Sequence, residues 1–435
     1  MLRKLQYVCL IGCIGLADAD RIDLFAGRGP FTLTPFLVLA PLVFILGLFR
    51  SEPSAMFRLS VTPETRRQLP FVAASSLFLL FTFFSIPIGL DPERGLVAFC
   101  DLLLVAALGY YISLQVLNEA EQEKLIVRSV TFALIAYAIF VVGECIAWTH
   151  GIVMTAQRSG PWLETTFVTS SIGPWIPTLS GTAYDANRSG FVLTMYLALI
   201  DRFAAKSRYT PALRFAIAVL VFLTLSRSGV LCWLAYHVAS KQFWSRLVSR
   251  RVLTGLIAIL ALGLLLFVKY QQELTAVAEA WEISDAISAK LSMDTGSSGE
   301  SHVLLIERGL NTWLASTKTV MTGIGYAAAP KVLADFFGDD KRGNFHSLYI
   351  TTLAEMGLPA FIALLFLLGY PIFGRRSSIC AIAAILVFNL TYQTETEPLF
   401  WLMLALLWSY GRTNVPGLTV ILDTRRASSF AVPKQ

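Results

Sequence analysis

Three short stretches of the chain carry residues whose types could bind or transfer a charged group. The first, Thr224–Gly229, places Arg227 between two apolar segments, and a guanidinium can grip two phosphate oxygens at once. Ser226 and Ser228 flank the arginine, and a turn of this kind that opens a helix adds backbone N–H donors for the same anion. The stretch predicts an anion clamp; an arginine that only reaches toward lipid head groups is the alternative.

A second arginine stands at the start of another apolar segment. Arg188 belongs to Asp185–Gly190, in which Asn187 and Ser189 are residue types that cap helices. Two neighbouring arginines would suit a pyrophosphate, so Arg188 is predicted to be a second phosphate contact beside Arg227. The alternative is that Asn187 or Ser189 caps the helix and Arg188 only extends toward the lipid head groups.

The third stretch offers a proton acceptor. His346 and Tyr349 open an apolar run, and a histidine there can act as a general base, with a structural role as the alternative. Glu355 lies within the run, where an ionisable residue is a functional candidate unless it pairs with a buried polar group. Glu397 follows Glu395 in a short polar segment, and it could bind a sugar hydroxyl, pair with an arginine or simply be solvated.

Membrane-spanning helices must position these residues. The 435 residues are 55% hydrophobic and 15% charged, whereas a soluble chain is about one quarter charged. Apolar residues fall mostly in runs of about 17 to 25, which cross a hydrocarbon core. The sequence predicts an all-α membrane protein with about twelve transmembrane helices. The predicted spans are 5–18, 31–49, 69–90, 95–115, 125–148, 187–204, 211–226, 228–243, 252–270, 346–370, 377–393 and 398–412.

The distribution of Lys and Arg predicts the orientation of these spans. Basic clusters follow the second, sixth, eighth, tenth and twelfth spans, which places both termini in the cytoplasm. Two long loops then face the periplasm: a smaller one at 149–186 and a large one at 271–345, between spans 9 and 10, with amphipathic helices. The chain, 1–435, is predicted to be a single polytopic domain of the inner membrane, with the three stretches at its outer face. Its first apolar run fits an uncleaved helix, which we favour, or a cleaved signal peptide.

The sequence lacks the patterns that are typical of other kinds of site. The net charge of +6 resides mostly in short loops, without a basic run interleaved with aromatics, so no nucleic-acid partner is predicted. The chain has no His-Glu-x-x-His, Walker, Gly-x-Ser-x-Gly or Gly-x-Gly-x-x-Gly pattern. Its six cysteines lie in or beside apolar runs without a Cys-x-x-Cys pair, which is typical of small buried side chains. No metal and no cofactor is predicted.

The order of the three stretches resembles the O-antigen ligase and Wzy-type polymerase family of bacterial membrane glycosyltransferases. An Asn-Arg element opens a mid-chain span at Ala186–Gly190, and a Ser-Arg-Ser-Gly element follows at Leu225–Gly229. A long outer loop then leads to Gly323–Gly325 and to the His…Glu-x-Gly-Leu element at His346–Leu358. The resemblance covers roughly residues 180–400; Ser347 departs from the asparagine that many family members carry.

The resemblance implies a substrate and a mechanism. The donor would be an oligosaccharide on undecaprenyl pyrophosphate, and an acceptor hydroxyl would attack its anomeric carbon without a metal. Arg188 and Arg227 would stabilise the leaving pyrophosphate, and His346 would accept the proton. The residues predicted to bind substrate are Asn187, Ser226, Ser228, Tyr349, Glu355 and Glu397.

The resemblance leaves the acceptor open. A polymerase uses a second lipid-linked repeat unit, a ligase uses lipid A core, and a third branch uses a protein Ser or Thr. We favour the polymerase, which makes exopolysaccharide or O-antigen with a flippase and a chain-length regulator as partners, because no segment indicates a protein-acceptor domain. A polysaccharide transporter is the alternative from another class, although the sequence lacks a repeat between its halves and has few charges deep in its spans.

Overall fold

The computed structural model describes residues 1–22, 24, 33–49, 63–152, 155–156, 167–168, 171–172, 176–240, 299–337, 344–373 and 376–409. Most of these residues are helical, which confirms the predicted all-α class. Two short antiparallel hairpins interrupt the smaller predicted loop: β1 (Thr155–Ala156) pairs with β2 (Phe167–Val168), and β3 (Ser171–Ile172) pairs with β4 (Ile176–Pro177).

Eight of the described helices lie between Leu2 and Val238. They are α1 (Leu2–Gly15), α2 (Pro35–Leu48), α3 (Pro63–Ser85), α4 (Pro92–Asn118), α5 (Gln122–Thr149), α6 (Ala186–Phe203), α7 (Thr210–Leu223) and α8 (Arg227–Val238). The remaining described helices are α9 (Gly299–Leu314), α10 (Thr317–Thr322), α11 (Ala329–Phe337), α12 (Leu348–Thr351), α13 (Gly357–Gly369), α14 (Arg376–Phe388) and α15 (Pro398–Ser409). A π-turn, Thr352–Met356, joins α12 to α13, and a 3₁₀ turn, Tyr370–Phe373, follows α13.

Three of the described helical segments are long and apolar enough to cross a membrane: α4, α5 and the continuous segment Leu348–Gly369. Five shorter apolar helices accompany them, at Pro35–Leu48, Leu69–Ser85, Thr210–Leu223, Ile379–Phe388 and Pro398–Trp408. The twelve-span topology stays a prediction. The predicted ninth span (252–270) and residues 271–298 and 338–343 of the large predicted loop lie outside the described residues.

Helix α6 is the central helix of the described bundle. It is buried on all sides from Arg188 to Ile200, and it packs against α5, α7, α8 and α14. A helix that is apolar around its whole circumference is stable only when other helices surround it. Two glycines bring α6 and α8 into backbone contact, because a methyl group added to Gly190 would lie 2.3 Å from the Cα of Gly229. The predicted Asn-Arg and Ser-Arg-Ser stretches therefore lie side by side.

The segment predicted as the tenth span is locally widened. At the π-turn, the backbone oxygens of Ala354 and Glu355 accept hydrogen bonds from the N–H groups of Ile324 (2.8 Å) and Gly325 (2.9 Å). Gly323 adopts a φ of +67° at this contact, and a side chain there would collide with the Glu355 carbonyl. The Gly-x-Gly turn is thus docked onto this segment, and π-turns inside helices often mark functional sites.

Candidate functional site

Helix α8 begins at the predicted anion clamp. Ser226 is its N-cap: the Ser226 Oγ accepts a hydrogen bond from the N–H of Gly229 (2.9 Å). Arg227 is the first residue of the helix, its side chain is exposed, and no acidic side chain among the described residues pairs with it. Leu225, just before the cap, has a φ of +51°, a conformation that is uncommon outside glycine. The turn therefore presents one exposed guanidinium at the start of a helix.

Helix α6 begins beside it, and its cap is neither of the two residues that the sequence offered. Asp185 is the N-cap, and its carboxylate accepts hydrogen bonds from the N–H groups of Asn187 (2.7 Å) and Arg188 (3.0 Å). The alternative in which Asn187 and Ser189 cap this helix is therefore wrong, because the aspartate that precedes them takes both N–H groups. The Asn187 side chain instead accepts a hydrogen bond from the Ser226 hydroxyl (2.6 Å) and joins α6 to α8.

Arg188 lies in a buried carboxylate cluster. Its guanidinium forms ion pairs with Asp20, which follows α1, and with Glu397, which precedes α15. All three side chains are almost fully buried, so Glu397 is paired rather than solvated. Two carboxylates offset the charge of one arginine, and a buried ion depends on such partners. This environment favours a role for Arg188 in holding three chain segments together; its predicted contact with phosphate stays a prediction.

Replacement of Arg188 by methionine separates these two roles. We expect the Arg188→Met protein to lose about 3–5 kcal/mol of unfolding free energy, because Asp20 and Glu397 would be left buried without a cation. Thermal unfolding in detergent measures this loss. The matched control is Arg214→Met, which breaks an exposed pair with Asp201 (2.6 Å) and should cost about 0–1 kcal/mol. A normally stable but inactive Arg188→Met protein would instead support direct contact with substrate.

His346 stands just before helix α12 in a strained conformation. Its φ is +56°, its side chain is half-buried, and its N–H donates to the Asn344 side-chain oxygen (2.8 Å). Of the described residues other than glycine, only Leu225, Ala327 and His346 have a positive φ. Leu225 and His346 lie within stretches singled out by residue type, and Ala327 follows the Gly323–Gly325 turn. Such strain concentrates at functional sites because the surrounding structure must maintain it.

Two of the predicted substrate-binding residues make internal contacts. The Tyr349 hydroxyl donates to the backbone oxygen of Leu386 (3.0 Å). The buried Glu355 carboxylate accepts from the N–H groups of Ala327 and Ala329, both at 2.9 Å. Glu355 therefore pairs with buried polar groups, the alternative recognised from the sequence. The Glu355 contacts secure the turn that follows Gly325, and the Tyr349 contact links its segment to α14. Binding of substrate by Tyr349 or Glu355 stays a prediction.

A segment of which the sequence singled out only Glu395 and Glu397 joins all three stretches. We call residues 389–397 the tether loop. Its Thr391 hydroxyl lies 3.0 Å from the Ser228 hydroxyl, and its Tyr392 hydroxyl donates to Asp185. The Leu348 N–H donates to the backbone oxygens of Asn389 (3.1 Å) and Tyr392 (2.8 Å). The tether loop thus connects the Arg227 turn, the start of α6 and the His346 segment.

The acids of the tether loop are buried. Glu397 pairs with Arg188, while burial raises the pKa of Glu395 to about 7 and the charge of Arg188 partly opposes that shift. Among the described residues, no group of three His, Cys, Asp or Glu side chains is placed to hold a metal ion. The exposed ionisable group at the meeting point of the α6 and α8 starts is the Arg227 guanidinium, a positive charge that is available to an anion.

Comparison with known families identifies one region of the chain. The Wzy_C family model, described as O-antigen ligase, matches residues 212–365. The match includes Arg227, His346 and Glu355 but ends before the tether loop and begins after Arg188. No curated protein matches the chain. The chain therefore carries the domain of the O-antigen ligase family at residues 212–365, which confirms the family resemblance predicted from its sequence.

Proposed function

We propose that the chain is an inner-membrane glycosyltransferase that polymerises oligosaccharide repeat units carried on undecaprenyl pyrophosphate. The product would be an exopolysaccharide or O-antigen, made at the periplasmic face. The observation that carries the proposal is the exposed Arg227 guanidinium, presented at a helix start inside the region that matches the family. A guanidinium in this setting has the charge and geometry to hold a pyrophosphate.

The reaction would be a direct displacement. An acceptor hydroxyl attacks the anomeric carbon of the donor sugar, the bond from that carbon to the pyrophosphate oxygen breaks, and the hydroxyl proton leaves. Arg227 offsets the negative charge that grows on the departing pyrophosphate. His346 accepts the proton or holds the hydroxyl in line. The attachment of Leu348 and Ser228 to the same tether loop supports the placement of both groups in one site.

The proposed topology rests on the sequence. Basic residues gather on one side of about twelve predicted spans, which favours cytoplasmic termini and a periplasmic large loop. The three apolar helical segments of spanning length support several crossings of the membrane. A lipid-linked donor in the outer leaflet would then meet Arg227 at the level of its pyrophosphate.

An O-antigen ligase that transfers glycan to lipid A core is the second candidate, favoured by the description of the matching family. Deletion of the gene separates the two functions through surface glycan and accumulated lipid-linked oligosaccharide. Single repeat units on lipid with no polymer would support the polymerase. Polymer that stays on its lipid carrier and is absent from lipid A core would indicate the ligase. An unchanged glycan would contradict both the polymerase and the ligase and would favour the polysaccharide transporter.

A further inference from the structure

The two serines beside Arg227 are each hydrogen-bonded to a different part of the protein. The Ser226 hydroxyl accepts from the N–H of Gly229 and donates to the Asn187 side chain on α6 (2.6 Å). The Ser228 hydroxyl lies 3.0 Å from the Thr391 hydroxyl on the tether loop. Consecutive residues in the first turn of a helix point in different directions, so these two contacts fix how the turn is rotated about the helix axis. Arg227, between them, remains exposed.

The tether loop is firmly held where Thr391 stands. The Asn389 side chain accepts from the Thr394 hydroxyl (2.9 Å) and donates to the backbone oxygen of Ile385 (2.9 Å). Tyr392 bonds Asp185, and Glu397 pairs with Arg188. These contacts leave Thr391 little freedom to move, so its bond to Ser228 anchors the Arg227 turn to a rigid support.

We propose that Thr391 is a positioning residue for Arg227: by bonding Ser228, it holds the first turn of α8 in the rotation that presents the guanidinium to the donor pyrophosphate. The inference rests on the proposed function, since it requires Arg227 to bind the donor. Thr391 lies outside the region that matches the family, so the family match does not assign it. Bidentate contact with phosphate depends on the angle of the guanidinium fork, which makes it sensitive to a small rotation of the helix.

The test uses the purified full-length chain in lipid nanodiscs, with lipid-linked oligosaccharide extracted from the deletion strain as substrate. Thr391→Val keeps the side-chain shape but removes the hydroxyl, and we expect kcat/KM to fall about fivefold to tenfold. Thr391→Ser retains the hydroxyl and should restore most of the activity. Wild-type kcat/KM in Thr391→Val would overturn the proposal, as would a Thr391→Ser protein that is as impaired as Thr391→Val.

A second comparison excludes a merely structural role. In an Arg227→Lys background the guanidinium fork is already lost, so adding Thr391→Val should cause no further loss of kcat/KM. The same fivefold to tenfold loss in that background would overturn the positioning role. Wild-type kcat/KM in Arg227→Ala would instead contradict the role of Arg227. Failure of the unaltered protein to turn over the lipid-linked oligosaccharide would contradict the proposed function itself, which keeps the failures distinguishable.

Discussion

Replacement of Arg227 by alanine is expected to abolish the long-chain product while the protein remains in the membrane at its normal level. Arg227 is exposed, and among the described residues no acidic side chain depends on its charge, so its removal leaves no buried carboxylate unpaired. Loss of one group that stabilises the leaving charge costs about 10²–10³ in rate. Glycan analysis of the complemented deletion strain measures the product, and immunoblotting of membranes measures the protein.

The chemistry of the Arg227 contact is tested by Arg227→Lys. Lysine keeps the charge but cannot reproduce the two-pronged contact with phosphate, so we expect strong impairment. Arg208→Ala is the matched control, because Arg208 is also exposed but contacts the ring of Tyr209 away from the three stretches. Normal polymer in Arg227→Ala would contradict the assignment of Arg227 to the site. Near-normal polymer in Arg227→Lys alone would show that the site requires a positive charge but not a guanidinium.

Replacement of His346 by alanine is expected to have a comparable effect. A positioned general base contributes about 10²–10⁴ to a rate, and alanine cannot accept the proton of the acceptor hydroxyl. Product length and membrane level are measured as for Arg227. His346 has a φ of +56°, so alanine also introduces backbone strain that could by itself disturb helix α12.

His346→Asn removes this ambiguity. Asparagine tolerates a positive φ better than other residues with a Cβ, and its side chain is a poor base. We therefore expect His346→Asn to fold normally and to make no long-chain product. Polymer of normal length in His346→Asn would show that the backbone conformation, rather than the imidazole, is what the site requires.

The local features of the site could be predicted from the sequence, because caps and turns depend on residues that are close together along the chain. A helix begins at Arg227, within the Thr224–Gly229 stretch, as predicted. Ser226 is a residue type that caps helices, and the two predicted spans are too close in the chain for a longer loop to separate them. The alternative that assigned the cap of α6 to Asn187 or Ser189 was wrong. Asp185 is also a strong capping type and precedes both residues, so the capping signal was present in the sequence but lay earlier in the chain.

The roles of the charged residues were harder to predict, because the role of a charged side chain depends on the groups that surround it in the folded protein. Arg188 and Arg227 open similar short patterns, yet Arg188 is buried against Asp20 and Glu397 whereas Arg227 is exposed. Glu355 and Glu397 were equally ambiguous. Burial of an ion requires partners, and nothing near these residues in the chain indicates whether partners are present.

Apolar run lengths and the order of short motifs can be read along the chain without knowledge of any contact. They were enough to predict the membrane class, the helical fold and the O-antigen ligase domain at residues 212–365. Which residues meet follows instead from the packing of the helices. Arg188 pairs with Asp20 across 168 positions, and Ser228 meets Thr391 across 163. Such contacts arise when the helices pack around α6, and no spacing along the chain encodes them. The exposed Arg227 and the loop that supports it are products of that packing.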